Sequence, residues 1–305
     1  MRAKFKGQRI RTVMAVLLTA AIGSGCAAGA PDSGPYGGAG AANAQLRHYR
    51  SGPARAMAAY AGQLRFAYAE REAVARKWGL VRTPLVAPPA PAVKPRITTR
   101  KGFEVAGWPG LPPVFTSVPV AERVVFLTID DGAEKDPELL RMMTEVGIPY
   151  SAFLSDYLVR DNYGYFARMQ GRGVSLNNHT LNHRYLPGLP YERQRKEICD
   201  QQSVIEKEFG KRPTLFRPPY GNYNRDTLRA AKSCGIKAVP LWEAEAFPDR
   251  FAWREPDQDL HPGDIILTHF RGRDDWNGTM PDVIRHVMRT VTEKGYAVAR
   301  LEDYV

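Results

Sequence analysis

Past Ala121 the chain alternates short apolar runs with amphipathic stretches, a pattern that begins near Val120. Val124–Ile129 is an apolar run of the kind a parallel strand shows when helices cover both of its faces. Glu138–Val146 has helical spacing, Pro149–Leu154 reads as a strand, Tyr163–Gly171 as a helix and Val174–Asn177 as a strand. Tyr191–Phe209 predicts a helix with Ile198, Ile205 and Phe209 on one side. Thr214–Arg217, Ala238–Trp242 and Asp264–His269 read as strands. Asn224–Cys234 reads as a helix ended by Gly235, a residue suited to the left-handed cap. Asp282–Lys294 predicts the last helix, stopped by Gly295, and Tyr296–Arg300 a final strand. Repeated strand–helix units make the fold class α/β, either a barrel or a doubly wound sheet. In both, working residues collect at the C-terminal ends of the strands.

The first 119 residues follow a different pattern. Arg2, Lys4, Lys6, Arg9 and Arg11 precede an apolar run, Val13–Ile22. A run of roughly 10 residues suits a signal peptide and is too short to span a bilayer. Gly23-Ser24-Gly25 before Cys26 is similar to a bacterial lipoprotein signal, with Cys26 as the lipidated residue of a 1–26 export segment. Gly23 stands where that signal prefers a larger aliphatic residue, and simple cleavage after Ala30 or Ala44 is the competing reading. Residues 27–119 read as a Pro/Ala/Gly-rich flexible tether, mostly disordered, with a helix near 54–80 that carries Met57, Tyr60, Leu64, Tyr68 and Ala75 at helical spacing. Residues 83–119 read as an extended linker able to drape over the domain at 120–305.

The formal charge of +11 comes entirely from that extension. Residues 1–119 hold 17 Lys and Arg against 4 Asp and Glu, and residues 120–305 hold 26 against 28. A basic Pro/Ala-rich arm beside a near-neutral domain argues against nucleic acid as the partner. Three cysteines are an odd number; with Cys26 lipidated, Cys199 and Cys234 are left either as a pair or as two buried thiols. The chain is expected to be a monomer, exported and either anchored by lipid or secreted.

Three motifs carry chemistry. Thr128-Ile129-Asp130-Asp131-Gly132 ends the first strand of the domain, and its adjacent carboxylates can divide the work of metal ligand and base. On its own the motif reads as a turn. Asn178-His179-Thr180-Leu181-Asn182-His183 places two of the six histidines four apart, as on one face of a helical turn, within reach of one ion. Together with Asp131 they form a facial triad that suits Zn²⁺ in hydrolysis and, on ligand type alone, Fe²⁺. Arg217-Pro218-Pro219-Tyr220-Gly221-Asn222 is a stiff segment with a turn-permitting glycine.

In this order the motifs resemble the NodB-type polysaccharide deacetylases, carbohydrate esterase family 4. Ile129 replaces a phenylalanine in the first motif, the second and third match in full, and Leu267-Thr268-His269 matches the last. The resemblance spans 120–305 and implies a distorted (β/α) barrel of about seven strands. It implies a divalent metal held by Asp131, His179 and His183, most often Zn²⁺ with Co²⁺, Ni²⁺ or Mn²⁺ as alternatives. It implies Asp130 as general base, Arg217 as its partner, the Tyr220 N–H in the oxyanion site and His269 as general acid. Leu267, Trp242, Pro218 and Pro219 would line the substrate pocket. The implied substrate is an N-acetylated polysaccharide, peptidoglycan or chitin-like. A glycan-binding protein with little activity, and an O-acetyl esterase or small-molecule amidase, are the alternatives. The family's Asp-Trp fourth motif is missing: Leu241 to Asp249 offers Glu243, Glu245 and Asp249 as replacements for the aspartate.

Overall fold

The computed structural model describes residues 39–106 and 110–305, with side chains from residue 54 onward. The expected export signal, Cys26 included, lies outside the described residues. The chain divides into two units, Met1–Ala59 and Tyr60–Val305. Of the first, only the beginning of helix α1 (Ala39–Lys77) is described. Everything below concerns the second. No helix among the described residues is long and apolar enough to cross a membrane.

The second unit is α/β. Its central strand, β2 (Val124–Asp131), is buried along its whole length, as the unbroken apolar run requires. β2 pairs in parallel with β3 (Ser151–Leu154), β8 (Ile265–His269) and β9 (Ala297–Ala299). β3 continues to β4 (Ser175–Asn178), and β8 to β6 (Ala244–Ala246), which forms an antiparallel pair with β7 (Phe251–Trp253). A second, two-stranded sheet joins β1 (Val114–Phe115) to β5 (Val239–Pro240).

Isolated bridges link the two sheets. Asn178 bridges Phe216, Leu215 bridges Ala238, and Ser117 bridges Asp264 at the foot of β8. This path is compatible with the expected distorted barrel. The strand expected at Thr214–Arg217 is present only as two of these bridges. Pro213 in front, and Pro218 and Pro219 behind, lack the N–H groups that a longer ladder needs.

Helices cover the sheet. α2 (Pro137–Val146) begins at Asp136, whose side chain accepts from the Glu138 N–H, and ends on the left-handed Gly147. The short α3 (Asp156–Val159) and α4 (Tyr163–Gln170) follow β3. α5 (Tyr191–Phe209) buries Ile198, Ile205 and Phe209, the side read from its spacing. α6 (Arg225–Ser233) and α7 (Met280–Glu293) both start in capping boxes, Asn224 with Thr227 and Thr279 with Asp282. A disulfide joins Cys199 on α5 to Cys234 at the end of α6.

Alternation along β2 sorts its side chains. Val125, Leu127 and Ile129 enter the cluster shared with α2 and α7. Val124 and Phe126 enter a second cluster with Phe115, Phe153, Leu215, Ala238 and Ile265. The segment before β2 also adds to the core: Ala75, Trp78 and Leu80 are buried in the first cluster, Phe115 and Val118 in the second.

Candidate metal centre

The motifs meet where the alternation of β2 runs out. Period two would send Asp130 and Asp131 to opposite faces of the sheet. Asp131, however, has a left-handed backbone, φ 80°, which re-aims its carboxylate so that both aspartates reach one site. Gly132 follows with φ 96°, and a Cβ there would lie 2.4 Å from a Val159 methyl. That contact explains why the Asp-Asp pair is followed by glycine.

Opposite Asp131 lies the loop after β4. His179 Nε2 is 3.4 Å and His183 Nε2 3.2 Å from Asp131 Oδ1. The helical turn expected for the two histidines is not formed. Thr180 and His183 have φ of 69° and 51°, so the loop brings the rings together by reversing direction rather than by winding. Side chains secure that path: Thr180 N–H donates to Asn178 Oδ1, His183 N–H to Thr180 Oγ1, and Asn182 is held at both N and Nδ2 by Glu197.

The donor set fits a cation. His179 Nδ1 lies 2.7 Å from the Arg217 carbonyl, so it carries a proton and donates there; in the neutral imidazole this leaves the Nε2 lone pair toward Asp131. Asp131 Oδ1 is buried with no hydrogen-bond donor. Two lone-pair acceptors facing each other at this range repel unless positive charge lies between them. One ligand atom from each of Asp131, His179 and His183 lies within 4.8 Å of the others, so a single ion can satisfy all three.

Asp130 is held from the other side. Arg217 is fully buried, and its guanidinium donates to Asp130 Oδ1 at 2.7 Å, to Thr128 Oγ1 at 2.9 Å and to the carbonyls of Pro240 and Leu241. It also lies 4.3 Å from the centre of the Phe153 ring. A buried guanidinium needs this many acceptors to offset its lost hydration. It therefore locks one oxygen of Asp130 and leaves Oδ2 facing the site, 3.7 Å from His179 Nε2.

His269, at the end of β8, lies beside Asp130 in the β2–β8 register. Its Nδ1 is 3.2 Å from Glu245 Oε1. Of the three carboxylates offered by the altered fourth motif, Glu245 alone meets the histidine. Glu243 is taken by Arg100 and Thr116, and Asp249 pairs with its exposed neighbour Arg250. Burial works against the imidazolium, but the Glu245 hydrogen bond and the charges of Asp130 and Asp131 outweigh it, raising the His269 pKa.

A cavity of about 400 Å³ opens over these groups. Pro218, Trp242 and Leu267 line it as expected, whereas Pro219 is buried beneath and does not. Tyr220 adopts φ 61°, stands exposed at the rim, and sets its ring 4.8 Å from that of His183. Gly221 is also left-handed, and a Cβ on it would come within 2.9 Å of the Trp242 ring. The sequence motifs did not point to Phe247, Arg271 and Trp276, which also line the cavity. Phe247 lies within the altered fourth motif, at the turn after β6, and Arg271 and Trp276 lie outside the motifs, on the loop after β8; local pattern carried no sign that any of them faces the cavity.

The polysaccharide deacetylase profile matches residues 117–239. An uncharacterized protein of Streptomyces coelicolor is 43% identical over 199 residues, covering 64% of this chain and 78% of its own length. The peptidoglycan-N-acetylglucosamine deacetylase of Bacillus cereus is 29% identical over 186 residues, covering 57% of this chain and 83% of that one. A solved pseudoenzyme of the CE4 family from Bacillus anthracis shares the fold, with a TM-score of 0.54 at 19% identity over 63% of this chain and 69% of that one.

Proposed function

The chain belongs to the polysaccharide deacetylase family, and we propose that it hydrolyses N-acetyl groups on a cell-surface or extracellular polysaccharide, peptidoglycan or chitin-like, releasing acetate. The observation that carries this reading is the convergence of a complete reaction set on one cavity. A cation site, an arginine-held carboxylate and a carboxylate-held histidine lie around it together. A glycan-binding protein has no use for that combination, so the reading favours catalysis over binding alone.

Asp131, His179 and His183 would hold a divalent cation, with Zn²⁺ the first choice, which would supply Lewis acidity toward the amide carbonyl and water. The protein supplies the proton path. Asp130 Oδ2, its partner oxygen immobilised by Arg217, takes the proton from the attacking water. The N–H of Tyr220, on the left-handed turn at the rim, would stabilise the developing oxyanion. His269 delivers a proton from Nε2 to the departing nitrogen while Glu245 steadies Nδ1. An amine leaves poorly unless it is protonated, and such a group typically contributes about 10²–10⁴-fold. Leu267 and Trp242 form apolar wall for the acetyl methyl.

The reading also includes export, with Cys26 as a lipid anchor. The Cys199–Cys234 bridge supports it, since disulfides persist in oxidising compartments. Mass spectrometry of the mature N-terminus tests it, and an unlipidated chain recovered from culture medium would remove the anchor.

The activity is tested by acetate release from peptidoglycan and from chitooligosaccharides, using the full chain loaded with Zn²⁺ or Co²⁺. Metal-dependent release is expected in wild type and should be lost in both Asp130→Asn and His179→Ala. No release from any N-acetylated glycan, with metal demonstrably bound, would overturn the deacetylase reading. Release from O-acetyl substrates alone would put an esterase in its place.

A further inference from the structure

Asp130 and Asp131 are held by the same device. Each has one oxygen fixed by an arginine: Asp130 Oδ1 by Arg217 at 2.7 Å, and Asp131 Oδ2 by Arg271 Nη2 at 2.7 Å. The first arginine belongs to a recognised motif. The second does not. Arg271 sits two residues beyond His269, on the loop that leaves β8. Its backbone is pinned there by N–H bonds to the His269 carbonyl at 3.0 Å and to Met280 Sδ at 3.4 Å. Beyond Asp131, the guanidinium has a second carboxylate, Asp275, 3.7 Å from Nη1. It is thus braced between two anions while lining the cavity.

We infer that Arg271 is a positioning residue for Asp131, occupying Oδ2 so that Oδ1 alone is presented to the cation beside His179 and His183. The inference rests on the metal centre proposed above and adds a residue to it. A free carboxylate can turn or offer both oxygens to a cation, and each added protein oxygen removes a place for water or substrate. A charge-assisted bond at 2.7 Å holds the carboxylate plane and takes one oxygen out of competition. The orphaned Oδ1 is the consequence: it is the remaining oxygen, it is buried, and it has no donor.

The test is Co²⁺ binding to the full chain, read by titration calorimetry and by the visible absorption of the bound ion, which responds to coordination number. Arg271→Met should raise the Co²⁺ dissociation constant roughly 10–100-fold, the range typical when a group that orients a ligand is lost. It should also change the Co²⁺ spectrum while leaving the melting temperature of the metal-free protein at its wild-type value. Arg271→Lys keeps a charged donor and should move both readouts back toward wild type. Arg271→Met with wild-type affinity and spectrum overturns the inference. So does a fall in affinity matched by a fall in metal-free stability, which would mean that the side chain only supports the loop. Wild type that binds no Co²⁺ overturns the metal centre and this role together. Failure of acetate release while the Co²⁺ results hold overturns the activity alone.

Discussion

At the scale of single residues, the unusual feature is how many site groups depend on backbone that L-residues avoid. Asp131, Thr180, His183 and Tyr220 all have positive φ. Such conformations cost of order 1–3 kcal/mol each and persist where surrounding structure over-determines them. The motifs singled out Asp131, His183 and Tyr220 but misjudged one geometry, a helical turn for His179 and His183, because spacing of four says nothing about the path between. Replacement of the missing aspartate was open among Glu243, Glu245 and Asp249 for a similar reason. All three lie in one short stretch, and only pairing of β6 with β8 puts Glu245 opposite Leu267 and against His269. A pH prediction follows from that contact. Glu245 raises the His269 pKa, so the proton-donating imidazolium survives to higher pH, and activity falls as pH climbs through that raised value. Glu245→Gln removes both the charge and the acceptor. The alkaline limb of its kcat/KM profile should move to lower pH; an unmoved limb would mean that another group carries the acid step.

At the scale of elements, the helices and the central strands were legible because each satisfies one periodicity. Tyr191–Phe209 has the same bounds in the structure as in the pattern, and β2 only extends the expected run to Asp131. The losses are in the short, irregular strands. Thr214–Arg217 reads as a strand but makes only isolated bridges, and β6 with β7 forms a short antiparallel pair that the mixed Glu243–Glu245 stretch does not announce. Two helices are cross-linked by Cys199–Cys234, 35 residues apart. Removing a disulfide that closes such a loop typically costs about 2–4 kcal/mol. The double variant Cys199→Ser/Cys234→Ser should therefore melt lower than oxidised wild type, and wild type in reductant should melt with it. Equal melting temperatures in all three would remove the bridge as a stabilising element.

At the scale of the whole molecule, the boundary near Val120 marks where patterned elements begin, not where the core begins. Ala75, Trp78 and Leu80 pack into the cluster with α2 and α7, and the Trp78 Nε1–H donates to Glu145. Arg285 returns the contact by donating to the Trp78 carbonyl. Further along, Arg100 binds Glu243 and Glu255, and Lys94 binds the carbonyls of Glu302 and Val305. A chain cut to 120–305 would also lose Val114, Phe115 and Val118 from the interior. It is expected to unfold at lower denaturant with a broadened transition. Trp78→Ala in the full chain should by itself cost about 3–5 kcal/mol, the range for truncating a buried aromatic. Truncation with undiminished, sharp unfolding would show that the segment only lies on the surface.

What the sequence determined by itself is whatever depends on neighbours along the chain. Apolar period sets β2 and the long helices, and local motifs single out Asp130, Asp131, His179, His183, Arg217 and His269 as candidate chemical groups. The tertiary structure decided what depends on segments far apart: that Glu245 rather than Glu243 meets His269, that Arg271 takes the second oxygen of Asp131, and that Ala75, Trp78, Leu80, Val114, Phe115 and Val118 complete the core. The physical reason is range. A side chain's torsions and alternation are local, whereas a partner 24 or 140 positions away is chosen only when strands register and a buried group must find a donor.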